Sequence, residues 1–113
     1  MRTGDVVLVR FPQADLQAGK LRPALVLAVS PGRHTDVLLA MITSRPYQII
    51  PDFDEVIEST DTDYPHTGLK ARSIVRLSRP ASVETSVINA KLGEISTGRL
   101  GEIKKRVIDW LQK

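Results

Sequence analysis

Gly19-Lys20-Leu21-Arg22-Pro23-Ala24-Leu25-Val26-Leu27-Ala28-Val29 is the stretch from which the fold can be read. Pro23 has a fixed φ and forces Arg22 into an extended backbone, so the pair marks the mouth of a strand. Ala24 to Val29 carries no polar residue at either parity, which predicts a central strand covered on both faces. An arginine at the rim of such a strand has its backbone anchored and its guanidinium turned outward, where it can meet an anion such as a phosphate. The plainer reading is a strand-end arginine that only solvates the lip.

Working outward, Asp5 precedes a first strand, Val6 to Val9, and Arg10-Phe11-Pro12 follows it. Gln13 to Leu21 is a loop. Ser30-Pro31-Gly32-Arg33 has turn chemistry, and Asp36 to Ile42 makes a third strand that stops at Thr43-Ser44-Arg45-Pro46. A short strand is expected at Glu55-Val56-Ile57, and Thr60 to Thr67 reads as an exposed loop. Ser73 to Leu77 is another strand, continued beyond Pro80 by Ala81-Ser82-Val83, and a last short one falls around Lys91 to Ile95. Leu100, Ile103, Val107, Trp110 and Leu111 have helical spacing, with Trp110 expected in the core and Glu102 paired to Arg106 on the other side. Ser96 or Thr97 can cap that helix. Short strands and one closing helix predict a mainly β fold, a small antiparallel barrel with a C-terminal α-helix, as one domain over residues 1–113.

With 113 residues and only 4% aromatics, the single core must be aliphatic. The absence of cysteine excludes disulfides and thiolate metal sites and fits a reducing cytoplasm. No signal peptide is visible at Met1-Arg2-Thr3, and no apolar run approaches the roughly 18 residues of a membrane span. Residues 46–69 hold six of the 13 acids and no Lys or Arg, so the rest of the chain sets all 16 basic residues against seven acids. A basic body with one acidic segment suits an anionic polymer as ligand, although ordinary solubility charge has the same look.

His34 and His66 have no ligand-like spacing, so no metal site is expected and no cofactor is implied. Asp52-Phe53-Asp54-Glu55 reads as a solvated acidic strand edge before it reads as a cation site. No P-loop, dinucleotide fingerprint or nucleophile elbow is present. What remains is Arg22, Thr43, Ser44, Arg45 and Arg76, each at or near a strand end, a donor set suited to a phosphodiester.

Gly4-Asp5-Val6-Val7-Leu8-Val9, Arg22-Pro23-Ala24-Leu25-Val26-Leu27, Ile42-Thr43-Ser44, Gly68-Leu69, Ser73-Ile74-Val75-Arg76-Leu77 and Lys91-Leu92-Gly93-Glu94-Ile95-Ser96 together resemble the MazF/PemK toxins, over nearly the whole chain. The resemblance implies an SH3-like barrel, usually a homodimer, held in check by an antitoxin and touching DNA only through it. It implies a metal-independent endoribonuclease that cuts single-stranded RNA at short sequences, leaving a 2′,3′-cyclic phosphate and a 5′-hydroxyl. The family's catalytic arginine and threonine fall on Arg22 and Thr43. Arg76 is expected to share the charge or to assist the leaving 5′-oxygen, and Lys20, Ser44, Arg45, Ser78 and Arg79 are expected to contact RNA. Two positions depart from the pattern. Arg76-Leu77-Ser78 lacks the carboxylate some members carry, and the loop from Gln13 to Leu21 lacks their histidine, so the general base is unassigned. The competing class is a non-catalytic SH3-like module that binds nucleic acid or protein.

Overall fold

The protein was analysed as a computed structural model, which describes residues 1–10, 20–32, 36–46 and 49–113. Most of the loop from Gln13 to Leu21, and both Arg33 and His34, lie outside the described residues. The central strand is β2 (Leu21–Val29), flanked by β1 (Asp5–Arg10) and β3 (Asp36–Thr43). β4 (Glu55–Ile57), β5 (Ser73–Glu84) and β6 (Ile88–Glu94) complete one antiparallel sheet of order β4-β5-β3-β2-β1-β6. Two helices are added, α1 (Tyr64–Thr67) and α2 (Thr97–Leu111). No helix among the described residues is long and apolar enough to cross a membrane.

The double-sided apolar pattern of β2 is explained by two cores. Leu25 joins Val6, Ala40, Ile42, Ile57, Val75 and Leu77 on one face, where Ile95 and Ile103 complete the cluster. Ala24 and Val26 join Val7, Val9, Val37 and Leu39 on the other, with Val83 and Ile88 folded against them. Burial on both faces ends at the strand's exit, where Ala28 and Val29 are exposed.

The ladder is curled but does not close, since β4 and β6 are its two edges. α1, which follows β4 in the chain, packs on β6 instead. Two glycines permit that approach. A Cβ on Gly93 would stand 2.1 Å from the His66 carbonyl oxygen, and one on Gly68 would stand 2.4 Å from that of Leu92. Gly68 also ends α1 at a φ of 72°, the left-handed conformation that glycine adopts without strain.

β5 carries the sharpest irregularity. Its register with β3 jumps from Ile42↔Val75 to Ala40↔Pro80, so five steps of β5 span two steps of β3. Arg76 to Arg79 form this bulge, which bends the strand. The Ser78 amide donates to the Asp54 carboxylate at 3.3 Å.

Three expectations change here. Thr60 to Thr67 is not merely an exposed loop: it contains α1, with Asp63 and Thr67 buried. Trp110 is not core. It is 42% exposed and stands edge-on to Phe53, ring centres 5.2 Å apart, because α2 buries only Ile103 fully and its last turn runs past the core. Arg106 turns to Glu55 and to the carbonyls of Phe53 and Asp54 rather than to Glu102. Ser96 is the cap, its hydroxyl accepting the Arg99 amide at 3.2 Å.

Candidate active-site cleft

Arg22 is the second residue of β2 and pairs with Val9 of β1. Thr43 is the last residue of β3 and pairs with Ile74 of β5. The β2–β3 ladder runs Leu25↔Ala40 and Ala24↔Met41. Arg22 lies two residues before Ala24 and Thr43 two after Met41, so strand alternation puts both side chains on the same side of the sheet. Both are half-buried, and both line a cleft of about 550 Å³. Small-ligand sites span roughly 300–1,000 Å³, so the cleft is large enough to hold part of a polymer.

Leu8, Ile42, Leu69 and Leu92 give the cleft its apolar surface, and Lys20, Arg22, Arg45 and Lys70 its cations. Thr43, Ser44 and Ser73 add hydroxyls. No Asp, Glu or His is among the described residues that line it. The Thr43 hydroxyl oxygen accepts the Arg45 amide at 3.1 Å, which orients it and leaves its hydrogen to donate into the cleft. A further part of the lining comes from Gly68 to Ala71 and from Ser73. The buried Thr67 hydroxyl steadies it by donating to the Tyr64 carbonyl at 2.7 Å and accepting the Leu69 amide at 3.2 Å.

Of the residues singled out from the sequence, Lys20, Arg22, Thr43, Ser44 and Arg45 meet in this cleft. Arg76, Ser78 and Arg79 do not line it, because the bulge carries them out of the β3 ladder. Arg76 is half-buried, with its Nε buried and lacking a hydrogen-bond partner among the described residues. Ser78 is held by Asp54, and Arg79 is exposed. Lys70 and Ser73 were not singled out as site residues. The signal for Lys70 was a cation directly after a Gly-Leu pair at the entry to a strand.

The acidic segment has a separate use. Arg99, near the start of α2, forks onto Asp63 through Nε at 2.8 Å and Nη2 at 2.9 Å. The same guanidinium reaches Glu55 at 2.6 Å, Asp61 at 2.7 Å and the Val56 carbonyl at 3.0 Å. Glu55 also binds Arg106. Asp52 to Glu55 is therefore not simply a solvated edge: Asp54 and Glu55 are buried and bonded. Hydrogen bonding to Arg99 outweighs desolvation and holds the Asp63 carboxyl down at about 2. Asp61 is also lowered, first by the Glu58 amide and then by Arg99. Arg99 is held still more firmly protonated, chiefly by Asp63.

Comparison with known proteins agrees with this fold. No curated protein matches the sequence. Among solved structures, an endoribonuclease from a mycobacterial species, in complex with its cognate antitoxin, is similar at a TM-score of 0.66 and 21% identity, over 99% of this chain and 95% of that one. The Mycobacterium tuberculosis toxin MazF-mt6 is similar at a TM-score of 0.64 and 16% identity, over 93% and 96%. At such identities these likenesses concern the fold. The family description "PemK-like, MazF-like toxin of type II toxin-antitoxin system" matches residues 2–111. With nearly the whole chain matched, this protein belongs to the PemK/MazF toxins of type II toxin–antitoxin systems, a family of endoribonucleases.

Proposed function

We propose that the cleft is the site at which this toxin cuts single-stranded RNA, by attack of a 2′-hydroxyl on its own phosphodiester without a metal ion. The observation that carries the reading is the presence of Arg22 and Thr43 together at one cleft that no carboxylate lines among the described residues. In-line attack builds negative charge on the non-bridging oxygens. A guanidinium fork meets that charge with paired donors, and its contribution grows as the charge develops. A guanidinium holds its proton too tightly to hand it over, which makes Arg22 an electrostatic group rather than an acid. Thr43 donates one hydrogen bond to the same phosphate and fixes its orientation. Lys20, Ser44 and Arg45 hold neighbouring backbone, and bases splayed from a single strand are read by the surrounding loops. Arg76 shares charge only if substrate reaches beyond the cleft toward the bulge.

The products are a 2′,3′-cyclic phosphate and a 5′-hydroxyl. As in its family, the toxin works as a cytoplasmic homodimer, restrained by a cognate antitoxin through which alone it meets DNA. The test is incubation of purified protein with a long single-stranded RNA in EDTA. Cleavage with cyclic-phosphate ends is expected. Activity that vanishes in chelator and returns with Mg²⁺ would overturn the metal-free mechanism, and RNA bound but uncut would leave a binding module.

A further inference from the structure

The geometry points to a second phosphate subsite on the Gly68–Ser73 wall, where Lys70 receives a backbone phosphate that is not the one cut. This rests on the reading of the cleft as an RNA site and adds a residue to it. Lys70 lines the cleft together with Arg22 and Thr43, yet it comes from a different part of the chain, the segment between α1 and β5. Its side chain is exposed, and it has no ion-pair partner among the described residues.

The wall is held from three directions, so Lys70 has a fixed base. Thr67 is fully buried and bonded to Tyr64 and Leu69. Gly68 and Gly93 bring the end of α1 against β6 more closely than any Cβ would allow. Asp63, which directly precedes α1, is tied to Arg99 and to the Ser96 amide. Leu69 and Leu92 beside it give an apolar surface for a sugar or base edge, while Ser73 Oγ is turned to the Ala71 carbonyl at 2.8 Å. A cation on a braced segment of the same cleft suits a polyanion with more than one phosphate, Lys70 meeting a phosphate other than the one at Arg22 and Thr43. Lysine fits the lesser task. Its ammonium is a point charge that binds a phosphate without the fork needed where charge develops.

The test uses a single-stranded oligoribonucleotide spanning one cut mapped on long RNA, with a 2′-deoxy substitution at the cut nucleotide so that it binds without cleavage. For Lys70→Ala, affinity should fall several-fold at low salt. The slope of log K against log salt should shrink by about 0.7, the contribution of one phosphate contact to a single strand. Lys70→Arg should restore both, and with cleavable RNA the loss in Lys70→Ala should appear in KM more than in kcat. Loss of turnover with unchanged affinity, or wild-type affinity and slope in Lys70→Ala, overturns the subsite while leaving the cleft reading intact. A wild-type protein that neither binds nor cuts RNA overturns both.

Discussion

Arg22 and Arg99 are the same side chain placed in opposite surroundings. Arg99 is 11% exposed and meets three carboxylates and a backbone carbonyl, so its donors are used up inside the fold. Arg22 stands on a cleft whose described lining includes three other cations, three hydroxyls and no carboxylate. The acidic segment's charge is used inside the fold. It neutralises arginines of the helix and pins α1, and it stays out of the cleft, where it would repel a phosphate chain.

The largest effect expected from breaking that contrast is at the junction. Arg99→Ala leaves Asp63, 6% exposed, without a cation, and leaves Glu55, 9% exposed, with Arg106 alone. Removing one partner of a buried ion pair costs about 3–5 kcal/mol, so urea unfolding should show a large fall in midpoint. An unchanged midpoint would mean that the carboxylates re-solvate and that the junction is ornamental.

Arg22→Ala should do the reverse, leaving stability near wild type while costing about 3–4 kcal/mol of transition-state stabilisation, or a few hundredfold and more in rate. Arg22→Lys should recover only part of it, because an ammonium lacks the planar fork. Thr43→Ala should cost less, through one lost hydrogen bond, and Thr43→Ser less again. If Arg22→Ala cuts RNA at the wild-type rate the site is elsewhere, and if it unfolds the chain the arginine is structural.

The smallest effect expected is in the pH dependence of stability. Asp63 has its folded pKa at about 2, below the usual 3.8, because Arg99 bonds it. Its contribution to stability is therefore complete above about pH 4 and fades as pH falls toward 2, a loss of about 1–2 kcal/mol after solvent screening. Denaturant midpoints of wild type and Asp63→Asn across that window should converge at the acid end. A gap independent of pH would remove the charge from the explanation.

Local pattern was enough for the strands, because alternating and continuous apolar runs depend only on which residues lie side by side along the chain. Val6 to Val9, the Arg22-Pro23 entry, Asp36 to Ile42 and Glu55 to Ile57 are all strand in the structure, and Ser96 caps the helix as its hydroxyl suggests. The same holds for Arg22, Thr43, Ser44 and Arg45, whose place at strand ends could be read without knowing what lay opposite.

What the chain alone could not disclose depends on partners far away in sequence. α1 looks like loop from its own residues, and it is held by Arg99, some 36 positions on from Asp63, and by Gly93. Trp110 follows the helical stripe, but exposure is decided by where the underlying core ends. Arg76 and Ser78 sit at strand-like spacing, and only the register jump between β3 and β5 takes them out of the cleft. Lys70 follows a Gly-Leu pair at the entry to a strand, a pattern that does not say which cleft it joins. It becomes a cleft residue because two glycines let one turn of helix rest directly on β6, a contact between backbones that no side-chain pattern records.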